Sequence, residues 1–247
     1  MISYTENIDC MEFMARWPDK HFELAIVDPN YGRKQHGGTD RSGHYVRQFN
    51  GKNIYTNGPR HAKKDWDKKP VSAEFFTELK RISNHQIIFG VNYYSVVLGP
   101  GRIVWDKVND GSDQSGAELA YCSMNDRVDI FRFMWRGMMQ AGSIFDGTIK
   151  RGDVQNNEKI IHPTQKPVAL YKWLLSRYAK PGWKILDTHL GSGSSRIAAH
   201  DLGFDFWGTE FDADYFRDEE ARFAIHASQL TLIQPEDLPP LQGALGL

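Results

Sequence analysis

Lys184-Ile185-Leu186-Asp187-Thr188-His189-Leu190-Gly191-Ser192-Gly193-Ser194-Ser195 carries the reading that decides the fold. The first four residues make a short strand, and the Gly191-x-Gly193 turn feeds a helix over Arg196 to Leu202. The next strand, Phe204 to Thr209, ends at Glu210, 23 residues after Asp187. Strand, glycine turn, helix, strand and terminal acid form the unit with which parallel sheets hold nucleotides, because the turn brings backbone N–H groups close and the acid accepts ribose hydroxyls. The expected fold is therefore α/β, a mostly parallel twisted sheet with helices on both faces.

Immediately upstream, His162-Pro163-Thr164-Gln165-Lys166-Pro167 precedes a helix over Val168 to Tyr178, with Leu170, Trp173 and Leu174 on its apolar face. Pro167 suits the first turn, where an N–H would have no partner. The remaining N–H groups and the positive end of the helix dipole suit an anion.

Near the start of the chain, Leu24-Ala25-Ile26-Val27-Asp28-Pro29-Asn30-Tyr31 begins with four apolar residues, a strand buried on both faces, which Asp-Pro-Asn then stops and turns. A carboxylate and a tyrosine are left at the strand's carboxyl end, where open α/β sheets bind ligands. Taken alone, the stretch reads equally as a plain strand-ending turn with Asp28 solvated and Tyr31 packed. Asp9-Cys10 falls at the junction between an initial strand and a helix, where Asp9 is also a natural N-cap.

Taken together, Asp28-Pro29-x-Tyr31, His162 to Pro167, and Gly191-x-Gly193 with Glu210 resemble the beta group of S-adenosylmethionine-dependent DNA amino methyltransferases, in which the catalytic half precedes the cofactor half. Small phage-borne or solitary members are the most similar, and the resemblance spans about residues 3 to 226. It implies methyl transfer to adenine N6 of a base extruded from double-stranded DNA. An exocyclic amine is a poor nucleophile, since its lone pair is delocalised into the ring. The Asp28 carboxylate and Pro29 carbonyl would accept its two N–H groups, and Tyr31 would stack the base. By the same resemblance Asp9, Cys10, Asp187, Gly191, Ser192, Gly193, Glu210 and Phe211 seat S-adenosylmethionine, and Thr164, Gln165 and Lys166 meet its methionine end. The missing third glycine agrees with that cofactor over a dinucleotide. Loops at Asn92-Tyr93-Tyr94 and Asp106-Lys107 are expected to line the base pocket. The motif opens with Asp and not Ser, which favours adenine over the alternative, cytosine N4. A catalytically silent DNA-binding protein is the alternative of another class. Asn30 departs from the family's usual second proline, and Thr188-His189 from its usual Pro-Phe.

At 247 residues and 40% hydrophobic, the chain suits one domain with insertions. Net charge is −1, but ten Lys/Arg and three Asp fall between Tyr31 and Lys69, a balance of +7 that leaves −8 for the rest. This basic loop, residues 32–69, makes Arg33, Lys34, Arg41, Arg47, Lys52 and Arg60 candidate phosphate contacts, with Tyr45, Phe49, Tyr55 and Trp66 interleaved to stack or wedge. Two cysteines without metal spacing fit a reduced, cytoplasmic setting, and no metal is expected. The absence of a long apolar run argues against a membrane. An amphipathic helix is expected over Val71 to Ile82. Val128 to Trp135 alternates as an antiparallel edge strand does. Residues 136–161 are taken as a short target-recognition insert and 227–247 as a disordered tail, and the resemblance makes a homodimer plausible.

Overall fold

In the computed structural model, Leu24 and Ile26 enter one apolar cluster and Ala25 and Val27 the other, on opposite faces of one sheet. The described residues are 1–32, 67, 69–109, 115–136, 139–142, 144, 147 and 157–230, with backbone alone at 44–47, 53–56, 136 and 230. In chain order the elements are β1 (Ser3–Glu6), α1 (Cys10–Ala15), β2 (Phe22–Val27), β3 (His44–Arg47), β4 (Asn53–Thr56), α2 (Ala73–Ile82), β5 (Ser83–Phe89), β6 (Arg102–Asp106), β7 (Ala117–Cys122) and β8 (Val128–Arg132). Then follow β9 (Trp135–Arg136), β10 (Met139–Gln140), α3 (Val168–Tyr178), β11 (Lys184–Asp187), α4 (Ser194–Asp201), β12 (Asp205–Thr209) and α5 (Ala213–Leu230).

Eight strands form the main sheet in the order β1-β12-β11-β2-β5-β7-β6-β8. The period-2 alternation of a strand explains why four apolar residues run together in β2: both faces are covered. Phe75, Phe76, Leu79 and Ile82 of α2 and Phe13 and Met14 of α1 pack with Ala25, Val27, Ile88 and Leu186. Leu170 and Leu174 of α3 and Ala198 of α4 pack on the other face with Leu24, Ile26, Ile87 and Ile185. Among the described residues, no helix is long and apolar enough to cross a membrane.

β1, β12, β11, β2 and β5 are mutually parallel. The antiparallel strand is β7, paired with both β5 and β6, third from the edge. The edge strand, β8, is parallel to β6, so the expected antiparallel edge is corrected. Alternation at β8 reports one-sided burial, with Val128 and Ile130 exposed and Phe131 buried, and burial says nothing of strand direction. Helix α5 runs through residues 227–230, which the sequence reading had placed in the tail; 231–247 lie outside the described residues.

From β11 the chain proceeds through α4 to β12 on one side, whereas β2 proceeds through α2 to β5 on the other. The strand order therefore reverses between β11 and β2. That is the position at which a doubly wound sheet leaves a crevice, and Asp28 and Asp187 end the two strands that border it.

Candidate active site

A cavity of about 380 Å³ opens at this crevice. Asp28 and Asn30, Asp9 and Cys10, Thr164 to Lys166, Gly191 and Ser192, and Glu210 and Phe211 all line it. Its size is within the range of about 300–1,000 Å³ usual for small-ligand sites. Pro29, Tyr31, Asp187 and Gly193 do not line it, although each adjoins a residue that does.

At the β2 end, the Tyr31 hydroxyl donates to Asp28 Oδ1, and the Lys166 ammonium donates to Asp28 Oδ2. Tyr94 Oη donates to the Pro29 carbonyl at 2.8 Å. The Tyr31 and Tyr93 rings stack at 4.9 Å, and Tyr93 is the more exposed of the two. Gly90, at φ +74°, is required here, because a Cβ on it would fall 2.1 Å from the Tyr31 ring. Backbone N–H groups of Tyr31 and Gly32 both donate to Asp67 Oδ1, at 3.0 and 2.8 Å, so the turn after β2 is held from outside.

Lys166 is buried and also pairs with Glu118 of β7, at 3.0 Å. Glu118 in turn accepts from Lys107 Nζ at 2.5 Å. Two cations and two carboxylates thus alternate as Asp28, Lys166, Glu118, Lys107. Burial pushes the Asp28 carboxyl up while Lys166 pulls it down. Burial also acts to raise the Glu118 carboxyl, but Lys166 and Lys107 win and hold it at about 2. Burial disfavours the charge on Lys166, and its two carboxylate neighbours more than restore it.

Lys166, expected to meet the methionine end of a cofactor, lines the cavity and also holds the Asp28 carboxylate. Gln165 is similarly engaged: its side chain accepts from Ile161 N at 3.0 Å and donates to Lys159 O at 3.2 Å. The anion expected at the N-terminus of α3 is the protein's own, since Val168 N donates to Glu158 Oε1 at 3.0 Å and Arg222 pairs with Glu158 at 2.9 Å. Glu118 and Glu158 were not identified from sequence, where each is a lone acid with no motif around it.

At the β11 end, Glu210 accepts from Gly191 N and Asp212 N, both at 2.9 Å, which fixes the carboxylate at the cavity wall. Gly193 caps α4 at φ +71°, and a Cβ there would meet the Glu219 side chain at 2.8 Å. Asp9 caps α1, accepting from Met11 N at 2.8 Å, and also lines the cavity. Burial and the neighbouring Asp9 push the Cys10 thiol up to about 12, so it stays protonated. Phe211 is 73% exposed, at the rim. His189 lines the wall with its ring edge-on to Phe75, and burial lowers it to about 4, so the imidazole is neutral.

Asp187 accepts from His189 N at 3.0 Å and from the Ser195 hydroxyl at 2.6 Å, and so ties down both ends of the glycine turn. Burial raises its carboxyl from 3.8 to about 7. A value raised on folding adds stability that is fully present below the unfolded value and is lost as pH rises through about 7. Urea unfolding between pH 4 and 7 is expected to show a decline of up to about 1.4 kcal/mol per pH unit that Asp187→Asn lacks. Equal pH slopes in the two proteins would refute this.

Arg33, Lys34, Arg41, Arg47, Lys52 and Arg60, with Tyr45, Phe49, Tyr55 and Trp66, lie outside the residues whose side chains are described.

The crevice, the strand order and the helices on both faces define an α/β fold of the methyltransferase type. The M1.HpyAVI–SAM complex shares it with a TM-score of 0.52 at 19% identity, over 90% of this chain and 100% of that one. The PvuII DNA methyltransferase, described as cytosine-N4-specific, shares it with a TM-score of 0.52 at 10% identity, over 92% of each chain. By sequence the chain is 26% identical to the Type II methyltransferase M.HinfI of Haemophilus influenzae, over 94% of this chain and 72% of that protein. Residues 124–221 match the DNA methylase family model for N6 and N4 enzymes. The match takes in Lys166, the glycine turn and Glu210 but not Asp28.

Proposed function

We propose that this protein transfers a methyl group from S-adenosylmethionine to N6 of an adenine extruded from duplex DNA. The observation that carries the reading is that one cavity is lined both by Asp28 and Asn30, which flank Pro29, and by Gly191 and Glu210. The residues fit the cofactor: a fixed carboxylate at Glu210 for a ribose diol, small residues at Gly191 and Ser192, and Asp9 and Phe211 beside them. When bound, S-adenosylmethionine supplies an electrophilic methyl on a sulfonium.

Asp28 and Pro29 then act on the amine. A carboxylate has about four lone-pair positions, so Asp28 can keep its bonds from Tyr31 and Lys166 and still accept one amine N–H. The Pro29 carbonyl accepts the second beside its bond from Tyr94. Holding both N–H groups turns the nitrogen lone pair out of conjugation and toward the methyl carbon. The cofactor would supply the methyl carbon to that lone pair, and the Asp28 carboxylate would accept the proton that the amine gives up. Where the family's second proline would restrain the Pro29 carbonyl by sterics, here Tyr94 holds it by a hydrogen bond. The stacking surface for the base is the Tyr31–Tyr93 pair, with Tyr93 outermost.

Cytosine N4 would use the same two acceptors. Duplex DNA treated with the protein and isotopically labelled S-adenosylmethionine, hydrolysed and read by nucleoside mass spectrometry, is expected to show label in N6-methyldeoxyadenosine. Label in N4-methylcytosine would redirect the assignment, and no label would refute methyl transfer.

Glu210→Ala is expected to weaken cofactor binding by roughly 1.5–3 kcal/mol, as for a charged hydrogen-bond partner. Calorimetry giving an unchanged affinity would remove Glu210 from the ribose. For the basic loop, neutralising Arg41, Arg47, Lys52 and Arg60 together is expected to reduce the salt slope of log K for DNA by up to about 3.6, with cofactor binding untouched. A slope equal to the parent's would mean that these side chains meet no phosphates.

A further inference from the structure

Away from the cavity, His200 and Asp201 at the end of α4 meet His226 of α5. Asp201 Oδ1 lies 2.6 Å from His226 Nε2 and 3.6 Å from His200 Nδ1. One ligating atom from each residue lies within 4.8 Å of the other two. His200 Nδ1 is shielded from solvent and has no hydrogen-bond partner, a rare state for a buried polar atom. The second carboxylate oxygen, Asp201 Oδ2, is 2.6 Å from the Lys172 ammonium of α3.

We propose that His200, Asp201 and His226 form a binding site for a divalent transition-metal ion, with Zn²⁺ the best match, at the seam between α4 and α5. Two imidazole nitrogens and a carboxylate oxygen are a common zinc donor set, and solvent would complete four-coordination. Ligand bonds of about 2.0–2.1 Å in a tetrahedron place neighbouring donors roughly 3.3 Å apart. The His200 to Asp201 separation is already close to that. His226 has to retreat by less than about 1 Å to reach it, and its side chain on α5 is partly exposed.

Lys172 holds Oδ2, which leaves Oδ1 turned to the histidines and makes the carboxylate a one-oxygen ligand. Contacts of this kind behind a metal ligand orient it. The metal-free arrangement, a His226–Asp201–Lys172 chain, satisfies the carboxylate but leaves His200 Nδ1 without a partner. A bound ion satisfies all three residues and ties α4 to α5. The site is separate from the methyl-transfer cavity and does not depend on it.

The test uses the full chain stripped with chelator and then titrated with Zn²⁺ by calorimetry, with Co²⁺ as a spectroscopic probe. One equivalent of Zn²⁺, a visible Co²⁺ band of tetrahedral type and a Zn²⁺-dependent rise in Tm are expected. His226→Gln, and the double variant His200→Gln/His226→Gln, should each bind at least about tenfold more weakly, with metal-free Tm near that of the parent. No Co²⁺ band in the parent would overturn the proposal. So would a double variant that keeps one equivalent at parental affinity, since the ion would then sit elsewhere, for example at Cys10. The His226→Gln variant, altered at a partly exposed position, decides the matter if the double variant does not fold.

Discussion

Asp28→Asn is expected to lower single-turnover methyl transfer by at least about 10³-fold, while cofactor affinity stays within about twofold. The substitution keeps the size of the side chain and removes its charge. An amide NH₂ in place of one carboxylate oxygen points a donor at either Tyr31 or Lys166 and leaves fewer acceptor positions for the target amine. The amine is then no longer drawn toward tetrahedral geometry, and the loss falls on the chemical step. Rapid-quench transfer from labelled cofactor gives the rate, and calorimetry the affinity. A rate within tenfold of the parent would refute the role given to Asp28.

Lys166→Met is expected to cost about 3–5 kcal/mol of stability and most of the activity at neutral pH. It leaves Asp28 and Glu118 buried with Lys107 as the sole remaining cation of the chain of four charges. In the parent, Glu118 is depressed from an ordinary 4.5 to about 2. Its contribution to stability is therefore present above the unfolded value and is lost as pH falls through about 2. Without Lys166 that depression shrinks, and acid unfolding should begin at higher pH. Adding Glu118→Gln to Lys166→Met should recover part of the stability, because one of the two unneutralised carboxylates is gone. Urea unfolding of the parent, single and double variants measures both effects. If the single variant is as stable as the parent, or the double variant is worse than the single, the charges are not coupled as the geometry implies.

Much of the architecture was legible because it rests on short-range rules. The run Leu24 to Val27 reads as doubly buried, and both faces of β2 are indeed covered. The helix read over Val168 to Tyr178 has those bounds, and the one read over Val71 to Ile82 begins at Ala73. Gly191-x-Gly193 and Glu210 read as one corner, and Glu210 accepts from Gly191 N. In each case the signal lies within one element or one βαβ unit, where periodicity, turn chemistry and capping act on neighbouring residues.

What the sequence did not show has a different cause. Lys166 stands next to residues that line the cofactor end of the cavity, yet its ammonium reaches Asp28, 138 residues away in sequence. Glu118 has no motif of its own and becomes part of the site because β7 runs antiparallel between β5 and β6. The α3 N-terminus suits an anion, as its sequence suggests, but Glu158 supplies one from within the chain.

By itself the sequence determined the class of fold and the two strands that end in a carboxylate, at Asp28 and at Asp187. These depend on side-chain periodicity and on local turns that any sufficiently long parallel sheet must bury and connect. Only the tertiary structure decided the place of the antiparallel strand, the partners of Lys166 and the meeting of His200, Asp201 and His226. Those follow from which charges and faces must be neutralised once distant segments are packed out of water, a condition that no local pattern records.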